Sequence, residues 1–334
     1  MEVISPSYYQ SFCCLASACP DSCCKDWAVQ IDEASAQRYR MLPGELGNDL
    51  RKVMCEEDGD IILALTKDGR CPMWRQDGLC RIQAQLGETA LCLTCAQFPR
   101  IHHDFGDFVE LGLELSCPEA ARLILSARTC STTSVQIPGG EPPEYDPLAM
   151  AILQRSRTQI LEFLQNTTFT VGQALAVMLL YGYAVQDELY GSDSACFSPE
   201  AALAEAHSLA VPGSMDDLLE FYRELEILTP AWRELLSQPS HTPWSEEHRA
   251  LARYFVSRYW LQAVSDLDLI SRVKLTICSC LVVKALGGDI YRTAQLYSKE
   301  IENDADNIVS ILDGTYTSPA LTDIKLLGLL LAES

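Results

Sequence analysis

Twelve of the fifteen cysteines in this chain lie before residue 131, five of them in the run CCLASACPDSCCKDW at residues 13–27. With 334 residues the chain can bury a core without covalent cross-links, so these thiols are not needed to rescue a small fold. The first residues, MEVISPSYYQSF, have no basic stretch followed by an apolar one and do not read as a secretory signal. The longest uncharged apolar run, Ala174 to Val185, is too short to span a bilayer. These features predict a soluble, cytoplasmic protein with no membrane partner. In that compartment disulfides are rare, and clustered cysteines point to metal binding or redox chemistry.

Hydrophobic residues make up 48% of the chain and charged residues 21%, which are globular values. The formal net charge of −21 repels phosphate backbones, so nucleic-acid binding is disfavoured; such a charge attracts a basic or amine-bearing partner, or simply maintains solubility. The stretch STTSVQIPGGEPPEYDP, residues 131–147, holds four prolines and two adjacent glycines and reads as a linker. It separates a cysteine-rich domain at 1–130 from a helical domain at 148–334. The expected fold class is mainly α: a small cysteine-rich α+β metal-binding region followed by an all-helical domain.

In the second domain, Asp146-Pro147 and Ser198-Pro199 pair a capping residue with proline at the first helical position. TVGQALAVMLLYGYAVQDELYG is apolar almost all round and predicts a buried helix. DLDLISRVKLTICSCLVVKALGG predicts another, stopped at Gly287-Gly288. In the first domain, residues 26–32, 60–66 and 107–116 carry strand patterns, while EASAQRYRML and PEAARLILSAR look helical. Asp77-Gly78 predicts a tight turn with Cys71 and Cys80 at its ends. A short helix ends near Phe98-Pro99.

Several cysteine pairs suit a metal: Cys19 and Cys23, Cys71 and Cys80, and the C-x2-C of Cys92 and Cys95. Soft thiolates select zinc, copper(I) or iron–sulfur clusters. Structural zinc sites usually show two C-x2-C knuckles, and only one is present. The C-x3-C-x2-C run of radical enzymes is also missing, because Asp26 stands where its third cysteine would fall. Spacing alone leaves iron–sulfur, zinc and metal-free thiols open.

Four blocks in one order carry a resemblance. They are Phe12, Cys14, Cys19, Cys23, Cys24 and Trp27; Cys71, Pro72, Leu79, Cys80, Arg81, Ile82 and Gln83; Thr94, Cys95, Phe98, Pro99, Arg100, His102 and His103; and Cys117, Pro118 and Glu119. Together, over roughly residues 10–125, they resemble the flagellin lysine-N-methylase family. They also resemble a broader cysteine-rich group described as zinc- or iron-chelating. The resemblance implies methyl transfer from S-adenosylmethionine to lysine ε-amines of a protein, flagellin, by a protein carrying a [4Fe-4S] cluster, with zinc as the alternative metal. Eight cysteines belong to the pattern, twice what a four-iron cluster takes. Cys19, one of Cys23 and Cys24, Cys80 and Cys95 are the favoured ligands, with Cys71 next. Adjacent residues in extended backbone point to opposite faces, so Cys23 and Cys24 are not expected to share a cluster. Cys14 and Cys117 line the pocket or pack, and Cys13, Cys55, Cys92 and Cys130 are expected to be small buried hydrophobes.

Lysine is protonated at neutral pH, with an ordinary pKa of about 10.4, and only its neutral amine attacks a methyl group. Glu110, Glu114, Glu119, His102 and His103 are candidate bases. Arg100 suits the carboxylate of S-adenosylmethionine, and Trp27 or Trp74 a methylated ammonium. No glycine-rich turn follows a strand, so the methyl donor's site is not legible. A non-enzymatic metal module with a helical protein-binding domain is the competing reading, and a thiol redox sensor a third.

Overall fold

The computed structural model describes residues 1–57, 59–193 and 196–332. Among them are fifteen α-helices and two small sheets, so the protein is mainly α. From Pro147 onward the described residues form helices and no strand. None of these helices is long and apolar enough to cross a membrane.

The chain forms two compact units. One gathers Met1–Ser11, His102–Ser116 and Ala120–Ser334, and the other Phe12–Ile101 with Cys117–Glu119. In the first unit, β1 (Glu2–Pro6) pairs in parallel with β6 (Phe108–Leu113), Val3 lying opposite Val109. Its other edge pairs antiparallel with β7 (Thr132–Gln136), Ile4 lying opposite Ser134. β5 (Arg100–Asp104) completes the order β5-β6-β1-β7. β7 lies inside the stretch read as a linker, and all five of its residues are exposed on the sheet edge. It pairs a strand that the sequence pattern did not suggest.

The helices begin where their caps predict. Asp146 accepts from Leu148 N at 2.7 Å to start α6 (Pro147–Phe163). Thr170 and Gln173 form a reciprocal capping box on α7 (Val171–Leu189). Ser198 caps α8 (Pro199–Leu209). The centre of this unit is α12 (Leu269–Leu286), every residue of which is buried. α12 packs against α7 and α11 (Glu246–Tyr259), and against α14 (Ala305–Thr317). Gly182 of α7 permits that approach, since a Cβ there would sit 3.0 Å from Val273 Cγ2. Gly287 ends α12 at φ +66°, in the left-handed region that favours glycine.

The second unit has a three-stranded antiparallel sheet in the order β2-β4-β3, built from Val29–Gln30, Asp60–Leu63 and Met54–Glu57. Around it lie α1 (Glu33–Met41), α2 (Gly44–Val53), α3 (Arg81–Leu86) and α4 (Leu93–Gln97). α4 ends at a cis peptide between Phe98 and Pro99. Its core is Val29, Ile31, Ala36, Tyr39, Leu46, Leu50, Leu63, Met73 and Ile82, joined by cysteines.

Candidate metal centre and buried acid–base cluster

In the cysteine-rich unit, short helices and turns gather the thiols. Asp77-Gly78 turns as expected: Gly78 has φ +80° and Arg75 N donates to Leu79 O at 2.9 Å. The turn sets Cys80 at the start of α3, opposite Trp74. Cys92 stands at the start of α4, one turn before Cys95. One carboxylate ties α4 to α1, because Asp32 accepts from Ser35 N and from Leu93 N, both at 2.9 Å. Those two bonds, the one from Leu93 foremost, pull Asp32 down to about 2. Tyr39 adds a bond from its hydroxyl to Ala90 O at 2.7 Å.

Five thiols therefore meet one apolar core. Cys71 and Cys92 are buried in it, and Cys24, Cys80 and Cys95 pack against it half-buried. Cys71 N donates to Cys24 O at 2.7 Å, holding the 23–24 turn onto this core. Burial pushes Cys71 up to about 12 and raises Cys80 as well. Two thiol–thiol hydrogen bonds divide the remaining charge. Cys95 donates to Cys92, which falls to about 7, and Cys23 donates to Cys24, which also falls to about 7.

This corrects one expectation. Residues 23–24 form a turn and not extended backbone, so the adjacent thiols meet instead of facing apart. Cys13 and Cys55 are exposed and Cys130 is half-buried; of the four expected packing cysteines only Cys92 is fully buried. Cys92 also stands among the favoured ligands, a position that its C-x2-C spacing with Cys95 signalled. Cys19 lies elsewhere, half-buried, its thiol donating to Asp21 O at 2.7 Å.

The donor set fits a soft metal in chemistry, with five sulfurs against an apolar wall and two already sharing protons with a neighbour. Among the described residues, however, no three His, Cys, Asp or Glu side chains converge as a metal ion requires. Loading would need the thiols to lose protons and turn toward a common centre.

The helical unit has an acid–base cluster of its own. Arg157 of α6 makes a bidentate pair with Glu110 of β6, and its Nη1 reaches Ser257 O at 3.3 Å. Glu302, with a side chain only 1% exposed, accepts from Arg258 Nε at 3.0 Å, Tyr259 Oη at 2.9 Å and Tyr254 Oη at 3.1 Å. Burial raises Glu114, which accepts from Ser116 Oγ at 3.2 Å. Burial, with Arg258 nearby, keeps His103 below its ordinary value and hence neutral. Among the described residues, His103 Nε2 and Arg258 Nη1 are buried without a hydrogen-bond partner.

Three candidate bases, His103, Glu110 and Glu114, thus share one buried network, while His102 is exposed and Glu119 is buried in the other unit. No sequence pattern signals Arg157, Arg258 or Glu302, which come from helices far along the chain. The proposed ammonium-covering rings are engaged. Arg70 lies over Trp74, 4.7 Å from its centre, and Trp27 packs against Phe98 at 6.0 Å and donates to Cys23 O. Arg100 lies over the Phe12 ring. A cavity of about 590 Å³ opens beside α6 and α7, lined by Gln159, Phe163, Tyr181 and Phe197 and by Arg155, whose Nη2 donates to both carboxylate oxygens of Glu188.

Fold and thiol core define a mainly helical protein with a cysteine-rich unit. The chain belongs to the flagellin lysine-N-methylase family. It is 33% identical over 137 residues to the flagellar biosynthetic protein FliU of Salmonella muenchen, a match covering 38% of this chain and 78% of that one. It is equally identical over 137 residues to the lysine-N-methylases of Salmonella typhimurium and Salmonella choleraesuis. There the match spans only 33% of the relatives' length. No family model and no solved structure matches the chain.

Proposed function

We propose that this chain moves methyl groups from S-adenosylmethionine to lysine ε-amines of a protein, flagellin being the first candidate, and that its thiol core holds a [4Fe-4S] cluster. The reading is carried by the match to lysine-N-methylases in a chain where four of the pattern cysteines, Cys24, Cys71, Cys80 and Cys95, pack around one core. Cys24, Cys71, Cys80 and Cys95 would hold the cluster, with Cys92 beside them. Bound there, it would supply one-electron chemistry and cross-link segments distant in sequence.

The chemistry needs a neutral amine. His103 is the side chain suited to take the lysine proton: it is neutral, and its Nε2 has no partner. His103 Nε2 would take the proton that leaves the lysine ammonium, and the amine so freed would form its C–N bond as the sulfur–methyl bond of the donor breaks, with S-adenosylhomocysteine as the leaving group. Burial foremost, and then the positive charges of Arg258 and Arg157, oppose premature protonation of the imidazole, while Glu110 partly offsets them.

The test is incubation of the full chain, purified without air, with flagellin and isotope-labelled S-adenosylmethionine. Labelled methyl-lysine is expected in the peptides. Unlabelled flagellin from protein with a full metal content would rule the activity out. The sheet favours a second reading, a metal module with a helical protein-binding unit. β1 and β6 run parallel, and among the described residues no strand leads through a glycine-rich turn into a helix. Flagellin captured by the chain but left unmethylated would select it.

A further inference from the structure

We propose that the outer edge of β7 is a docking site for an extended, lysine-bearing segment of a partner protein, which adds to the sheet as a further strand. The register of β7 on β1 fixes which backbone groups that edge offers. Met1 N donates to Ile137 O at 3.1 Å and Ile137 N to Met1 O at 3.0 Å, so these two residues form a bonded pair. At the other end Ser7 N donates to Ser131 O at 2.9 Å. Bonded and non-bonded pairs alternate along an antiparallel ladder. Val3–Val135 and Ser5–Thr133 are therefore the bonded pairs in between, and Thr132, Ser134 and Gln136 turn their N–H and C=O groups away from β1. Pro6 stands opposite Thr132, at a position where no N–H is needed. β7 ends the strand order, and all five of its residues are exposed.

Exposed edges are ordinarily blunted by charge, proline or shortness, because a free row of N–H and C=O groups recruits other backbones. Among the described residues, the other three sheet edges follow that rule. β2 has two residues, β3 carries Glu56 and Glu57, and β5 carries Arg100 and Asp104. β7 reads Thr-Thr-Ser-Val-Gln, without charge or proline, and its Val135 is 62% exposed. It offers about 17 Å of unblunted edge. The next outward position is Pro138, which has no N–H and closes the row.

The edge specifies an extended backbone, and charge selects its bearer. At −21 each, two copies of this chain repel one another, whereas a basic segment is attracted. Glu2 lies opposite Gln136, which places a carboxylate on the face where alternate side chains of an added strand fall. That the segment carries lysine rests on the proposed function; that it is extended does not.

The test uses the full chain, a synthetic peptide alternating threonine with lysine, and amide hydrogen exchange. On adding peptide, exchange is expected to slow about tenfold at Thr132, Ser134 and Gln136, and little at Thr133 and Val135, whose amides already bond to β1. Ser134→Pro removes only an outward N–H, so the chain should fold while peptide affinity falls about tenfold. A peptide methylated on alternate backbone nitrogens should lose affinity for the unaltered chain. No binding, binding without protection of those three amides, or undiminished affinity in folded Ser134→Pro overturns the proposal. Protection that rises with protein concentration and needs no peptide overturns it in favour of a second copy. Peptide bound at the edge of a chain that methylates nothing upholds the docking site and removes the methylase reading alone. Methylation by a chain whose edge binds no peptide does the reverse.

Discussion

Asp32 accepts from the first turns of α1 and α4 with one carboxylate, and α4 carries Cys92 and Cys95. A cap of this kind contributes about 1 kcal/mol, so Asp32→Ala should cost about 2 kcal/mol in chemical denaturation if both caps act. An unchanged midpoint would show that neither holds. Its carboxyl titrates at about 2 instead of 3.8, so the stabilisation is fully present above pH 3.8 and is lost as pH falls toward 2. His103 makes a sharper kinetic prediction. Its folded pKa lies below 6.5, so the acid limb of kcat/KM should appear below that value. His103→Gln should remove the limb and lower the rate by about 100-fold or more. An unaltered pH profile in that variant assigns the proton to another group.

α11 begins with an unusual box in which His248 fills the position where Glu or Gln is common. Its Nδ1 accepts from Ser245 N at 3.2 Å. Burial, with Lys284 adding to it, lowers His248 to about 4 from 6.5. The folded state therefore resists protonating it. Stability is intact above pH 6.5 and declines as pH falls through 4. His248→Gln keeps the box and should flatten thermal melting temperature across that window; a variant as acid-sensitive as the parent would refute this. Such elements were legible to different degrees. Asp146-Pro147, Ser198-Pro199, Asp77-Gly78 and Gly287-Gly288 announce their helix ends and turn because capping and left-handed backbone are local needs. β1, β3, β5 and β7 are silent, since sheet pairing depends on partners up to about 130 residues away, whereas the Thr229-Pro230 start of α10 (Pro230–Ser237) is a local signal of the same kind as the other caps.

At the scale of the whole molecule, chain order and spatial grouping part company. Met1–Ser11 and His102–Ser116 join the helical unit, and Cys117–Glu119 joins the cysteine-rich one. This is why the cysteine pattern told the family and not the ligand set. Spacing cannot say that Cys92 enters the core with Cys24, Cys71, Cys80 and Cys95, or that Cys117 leaves its sequence neighbours. The acid–base cluster was half legible: His103, Glu110 and Glu114 follow the motif, but Arg157, Arg258 and Glu302 arrive only through packing. The central claim is that the packed thiols hold iron and sulfur in a lysine methylase. Mössbauer spectroscopy of iron-57-labelled full chain purified without air tests it most directly. A [4Fe-4S] signal that disappears in Cys80→Ser/Cys95→Ser is the predicted result. A colourless protein with zinc as its sole metal would contradict it.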